Sequence, residues 1–166
     1  TNSVDINTLD EFKKNYNMTR PLRVGINTWG GYAGGLYANK GLTASAESNF
    51  YTKYGILVDI ILNDDFQTSR ESWKSGDVDI MWTTADGFPN ESGNLPDNPE
   101  VIFQFDWSRG GDVIIGTRGI KSINDLKGKK IAVALGTPSH SLLLKSLEAA
   151  NMKITDIVVV TSNSAP

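Results

Sequence analysis

The chain contains no cysteine and only one histidine in 166 residues. Without thiols there is no disulfide, no thiolate nucleophile and no cysteine-held metal, and the redox compartment is left open. Positive charge is also scarce: 16 Lys and Arg stand against 19 Asp and Glu, for a formal net charge of −3. The densest basic stretch is the turn "KGKK" at 127–130. Phosphate binding draws on clustered Lys and Arg, so nucleic acid is excluded as a partner. No apolar segment approaches the ~20 residues needed to span a bilayer. The opening "TNSVDINTLD" lacks a basic start and an apolar stretch, so it does not read as a signal peptide; a processed or a trimmed chain would look the same.

What remains is the composition of a folded globular protein, 39% apolar and 21% charged, with length for one ordinary domain or two small lobes. Leu9, Phe12 and Tyr16 recur at helical spacing, and Thr8 with Glu11 matches a T-x-x-E capping box, which predicts a short helix over 8–17. "PLRVGINT" reads as a first strand, "ILVDIILN" as a second, "VDIMWTT" as a third and "VIFQFDW" as a fourth. "DVIIGTR", "KKIAVAL" and "DIVVVTS" follow as further strands. Between them lie a short helix near "GGLYANKG", helices in "DFQTSRESWKSGD", "SINDLKG" and "PSHSLLLKSLEAAN", and a Gly/Pro/Asn-rich loop at 85–100. Strands alternating with helices, and strands that are continuous apolar runs, predict an α/β fold with mainly parallel sheets.

In such sheets ligands collect beyond the carboxyl ends of the strands. The ends offer Trp29, Gly30 and Tyr32 after strand one, Asp64 and Asp65 after strand two, Trp82, Thr83 and Thr84 after strand three, and Asp106 and Trp107 after strand four. Trp29, Trp82 and Trp107, each beside hydroxyls or an acid, suggest a ligand-facing wall, although each alone could equally be core filler. Trp73, within a helix, reads as packing. In "GTPSHS", Thr137 suits an N-cap and Pro138 the first helical position, so the amides of Ser139 and His140 would face an anion at the helix start. The same pattern also describes a helix that is merely well capped. "GGYAGG" has neither the spacing of a dinucleotide loop nor the ending of a P-loop, so no nucleotide cofactor is expected. No nucleophile–base arrangement surrounds His140, and adjacent acids such as Asp64–Asp65 are more often a solvated turn than a metal site. The expectation is therefore no catalytic residue, no metal and no cofactor.

The order strand, aromatic-glycine loop, "YGILVDIIL", "WKSGDVDIMWTT" and "SINDLKGKKIAVALGTPSHSLLLKSLEAANM" resembles periplasmic solute-binding proteins of ABC importers, over about residues 21–162. Within these it is similar to the sulfonate, nitrate, taurine and thiamine-precursor group. "QFDWSRGGDVIIGTRGIKS" is similar to variants joined to OmpA-like cell-wall-binding domains. The resemblance implies a type II periplasmic-binding-protein-like fold: lobe one at 1–107, a partial lobe two at 108–166, and a chain that family members carry further. It implies a small-molecule solute held between lobes by Trp29, Gly30, Tyr32, Trp82, Thr83, Thr84, Asp106, Trp107, Thr137, Ser139 and His140. It also implies an ABC permease and an OmpA-like wall-binding domain as partners, and a place in the periplasm or cell envelope. Two alternatives stand beside transport: an envelope-anchored ligand sensor, and pyrimidine-precursor synthesis, whose cysteine-rich motif is absent here. The solute's charge stays open, since helix starts favour an anion, indoles beside Asp106 favour a quaternary amine, and a zwitterion satisfies both.

Overall fold

The structure, a computed structural model, describes residues 6–162. Two compact units divide the chain: residues 1–82 with 94–106, and residues 83–93 with 107–166. Each is built around a parallel sheet.

In the first unit β1 (Leu22–Ile26) lies between β2 (Val58–Leu62) and β3 (Ile80–Met81), parallel to both. The register sets Leu22 against Val58 and Val24 against Ile80. Gly25 lets the central strand pack tightly, because a Cβ there would meet Val78 Cγ1 at 3.3 Å. Helices α1 (Ile6–Tyr16), α2 (Ala33–Asn39), α3 (Asn49–Tyr54) and α4 (Phe66–Lys74) surround this sheet's connections. Side chains fill two cores: Phe12, Ala44 and Leu57 in one, Ile26, Tyr32 and Trp82 in the other.

Local sequence explains most helix limits. Ser48 caps α3 by accepting from the Tyr51 amide at 3.0 Å, and Gly55 ends it in the left-handed region at φ +69°. This helix is not among those the sequence pattern predicts. Asp65 caps α4 through the Thr68 amide at 2.8 Å. That bond holds the Asp65 carboxyl below the usual carboxylate range. For α1 the expected cap does not form: the helix already includes Ile6, so Thr8 is a helical residue rather than its N-cap. The side chain of Leu9, named for the apolar face, lies outside what is described; Phe12 is fully buried.

In the second unit β4 (Lys130–Val133) pairs in parallel with β5 (Val158–Thr161), with Ile131 opposite Val159. Helix α6 (Pro138–Ala149) turns Leu143 and Leu147, one helical turn apart, onto a core of Leu126, Val133 and Ile157. α5 (Phe88–Glu91) is a single turn. β5 is not covered on both faces as the apolar run predicts, for Val158 and Val160 are exposed.

Two expected strands are absent. Neither residues 101–107 ("VIFQFDW") nor residues 112–118 ("DVIIGTR") enter a sheet. Their composition suits a pleated, half-buried surface, but a strand exists only where a second backbone supplies the ladder. Val101, Ile102, Phe103, Val113 and Ile115 are correspondingly exposed.

At the opposite end of the first sheet from its loops, Arg20 donates to Asp79 through two nitrogens, at 2.6 and 2.9 Å, and the Arg23 amide adds a third bond at 2.8 Å. The Arg20 bond, opposed by partial burial and aided by the Arg23 amide, keeps the Asp79 carboxyl below its ordinary value. A depressed carboxylate contributes stability above its unfolded value of about 3.9, and loses it as pH falls through the lower folded value. Asp79→Asn should therefore lower stability by about 1–2 kcal/mol at neutral pH. It should also flatten the acid limb of the stability curve below about pH 4, as read from urea denaturation across a pH series.

Candidate functional site

β1 and β2 run out side by side, and the residues just past them are knitted together. The Asn63 amide donates to the Ile26 carbonyl at 2.7 Å, which continues the ladder one step. Beyond it, both oxygens of Asp64 accept from Thr28, one from its amide and one from its hydroxyl at 3.0 Å. From the far side of the sheet the Trp82 indole N–H reaches the Asn63 carbonyl at 3.0 Å. Residues 63 and 64 thus tie the ends of all three strands. The acids expected as a solvated turn each have a structural partner: Asp64 holds Thr28, and Asp65 caps α4.

This tie presents the aromatic loop. Trp29 precedes a short 3-10 turn at Gly30–Tyr32 that runs into α2. Its indole lies directly over Gly31, where a Cβ would stand only 2.3 Å from the nearest ring carbon. Gly30 is open to solvent, with nothing near its missing Cβ. Trp29 and Tyr32 meet edge to face with centroids 5.6 Å apart; Trp29 is 45% exposed and Tyr32 only 8%. Burial pushes the Tyr32 hydroxyl up, so it stays neutral through the physiological range.

Trp82, expected in the same wall, is placed in the core. It packs against Phe66 at 4.5 Å between centroids, and the Arg70 guanidinium lies over both rings, 5.0 Å from Trp82 and 4.8 Å from Phe66. With its N–H bonded to Asn63 and its ring enclosed, it backs Tyr32 from within the same cluster.

The second unit gathers hydroxyl groups at the amino end of α6. Thr137 stands at the N-cap with extended backbone, but its hydroxyl donates to the Ala134 carbonyl at 2.6 Å rather than accepting from the helix. Its carbonyl accepts from the amides of His140 and Ser141 at 3.0 and 3.1 Å, so the His140 amide turns inward, not outward as expected. The His140 ring is pinned by Nδ1, which accepts from the Gly136 amide at 3.3 Å. Ser139 is half-buried in the first turn.

Thr83 and Thr84 belong to this unit, not to the one that carries β3. The Thr84 carbonyl accepts from the amides of Gly87 and Phe88, and its hydroxyl helps hold Asp86. Asp86 is the residue that sequence reasoning missed. Burial would raise its carboxyl, yet the hydroxyls of Ser141 and Thr84 prevail and hold it below the usual range. A charged carboxylate therefore sits against the first turns of α6, in a loop whose Gly/Pro-rich sequence gave no such signal.

Asp106 and Trp107 are the last residue of one unit's segment and the first of the other's. The Asp106 carbonyl accepts from the Gln104 side chain at 3.1 Å, and the exposed Trp107 ring carries the Arg109 guanidinium 5.9 Å from its centroid. Trp82, Asp106 and Trp107 apart, the candidate residues form two groups, an aromatic one after β1 and a hydroxyl-rich one before α6.

No family model matches the chain. The chain superposes on the periplasmic aliphatic sulphonate binding protein of Escherichia coli with a TM-score of 0.60 at 23% identity, covering 85% of this chain and 44% of that one. Its fold is that of a periplasmic solute-binding protein. The alkanesulfonate-binding protein of Xanthomonas axonopodis pv. citri, solved bound to MOPS, gives a TM-score of 0.53 at 16% identity over 86% of this chain and 47% of that one. Curated relatives match over shorter stretches. An E. coli K12 protein named for aliphatic sulfonate binding is 53% identical over 38 residues, which is 23% of this chain and 12% of that protein. A Brucella abortus protein named as a binding protein is 47% identical over 49 residues, 30% and 15% respectively. The chain spans under half the length of the solved proteins it matches, and much less of the curated ones.

The seat of Trp29 can be tested alone. Gly31 has no left-handed backbone angle, so Gly31→Ala acts only through its Cβ, which must displace the indole. Acrylamide quenching should then rise in Gly31→Ala but not when the change is made in a Trp29→Phe background, where the other three tryptophans report.

Proposed function

We propose that the chain is a ligand-binding part of an importer's solute-binding protein. It captures a small polar or zwitterionic solute, sulfonate-bearing compounds foremost, for delivery to an ABC permease from the periplasm or cell envelope. The observation that carries this reading is the pairing of two chemistries at the carboxyl ends of parallel strands within this fold. An exposed indole beside a buried tyrosine follows β1, and hydroxyls gather at the start of α6 after β4.

In this reading lobes near 1–107 and 108–166 hold the solute between them, and closure is favoured because ligand adds contacts with the second lobe. The aromatic residues cover the organic part, while Thr84, Thr137, Ser139 and His140 meet the polar group. Trp82 acts from behind, as the support of Tyr32. The role is binding without chemistry, in keeping with structural neighbours that are binding proteins.

A thermal-shift panel of sulfonates, nitrate, amino acids, betaines and sulfate tests it. A ligand at a hundredfold over its Kd should raise Tm by about 5 °C or more. Asp106→Asn should weaken a cationic or zwitterionic ligand several-fold more than a simple anion. Silence across the panel, repeated with the longest natural form of the protein, would remove the transport reading.

A further inference from the structure

Trp29 and Tyr32 are the first two members of a longer series. The Tyr32 ring also meets Phe105 edge to face at 5.1 Å between centroids, and Phe105 meets Phe103 at 5.1 Å. All four rings belong to one unit. Tyr32 is buried against Ile26 and Trp82, so the middle of the series is anchored on the sheet's core. Its neighbours on either side are open: Trp29 is 45% exposed and Phe105 is 51% exposed. Both rest near glycines, the indole over Gly31 and Phe105 within 3.8 Å of where a Gly35 Cβ would stand. A side chain at Gly31 would displace the indole, whereas a Cβ at Gly35 would make ordinary contact with Phe105.

A series anchored at its centre and bare on both flanks is a shallow apolar step, continuous with the loop proposed to hold the solute. We propose that Trp29 and Phe105, braced by the buried Tyr32 between them, seat the hydrocarbon tail of the solute, and that Phe105 sets the tail length the protein accepts. This rests on the solute-binding reading above. The tail continues from Trp29 toward Phe105, and the headgroup stays with the polar groups. Short edge-to-face steps suit a flexible alkyl chain, which can bend across rings that turn by 62° and 79°. Phe105 lies in a segment that no ladder holds, so its contact with Tyr32 is a principal constraint on where its ring stands.

Calorimetric titration of the full chain with sulfate, methanesulfonate, butanesulfonate and octanesulfonate tests this. Affinity should rise by about fourfold for each methylene that reaches the step, and sulfate should bind least. In Phe105→Ala the rise should stop early, so octanesulfonate loses tenfold or more while the shortest sulfonate loses far less. Phe105→Leu, which keeps an apolar side chain, should restore most of the dependence and covers the case in which the alanine variant folds poorly. Equal affinity for short and long tails, or an unaltered dependence in both variants, would overturn the tail seat while leaving the solute reading intact. Failure of every sulfonate and of sulfate to bind would remove the tail seat as well, and the solute reading falls with it only if the wider thermal-shift panel is also silent.

Discussion

Everything at the carboxyl edge of the first sheet depends on two consecutive residues, Asn63 and Asp64. Asn63 uses its amide on β1 and its carbonyl on the Trp82 indole, and Asp64 takes both donors of Thr28. Parallel strands leave their last backbone groups without partners unless something closes the edge, and burial of such groups is costly. Here the closing is done by a side chain from each outer strand's end. It fixes Thr28, hence the direction in which the chain leaves β1, hence the placement of Trp29 over Gly31. The Arg20–Asp79 pair performs the matching task at the other end of β1 and β3. A five-residue strand held at both ends is a rigid base for a glycine-containing loop.

The same tie explains why Trp82 and Trp29 part ways although both follow strands. The sequence offers no means to tell them apart, since each precedes small or hydroxyl residues. The difference lies across the sheet. The Asn63 carbonyl needs a donor, and Phe66 with Arg70 encloses the ring once it turns to supply one. Trp29 has no such acceptor among the described residues and folds back on its own loop. The α/β alternation and most of the helices were legible in the sequence, whereas the caps at Ser48 and Asp65 and the pairing of the strands were not drawn from it, because a strand exists only as a pairing with a second backbone. Residues 101–107 have the alternation of a strand but no second backbone, and for that reason Phe105 went unnoticed as a neighbour of Tyr32.

The amino end of α6 shows a second limit of local reasoning. "GTPSH" does give a helix start with Pro138 in its first turn, as the pattern predicts. What the pattern lacks is knowledge of what faces that start. The Thr137 hydroxyl turns back to Ala134, the His140 amide is taken by Thr137, and a carboxylate from a distant loop is held by Ser141. Of these partners only Thr137 lies within the motif.

Asp86 bears directly on the kind of charge this region can accept. A helix start carries roughly half a positive charge, spread over its first amides. One carboxylate nearby more than balances it, and the hydroxyls of Ser141 and Thr84 keep that carboxylate ionised. The local field is then set by neutral hydroxyl dipoles and a net negative group, not by an unopposed helix dipole. Hydroxyls can turn to donate to an anion or accept from an ammonium group, whereas backbone amides can only donate. In the proposed reading this field favours a sulfonate that also carries a cationic group over a sulfonate alone, more than the helix start by itself implies.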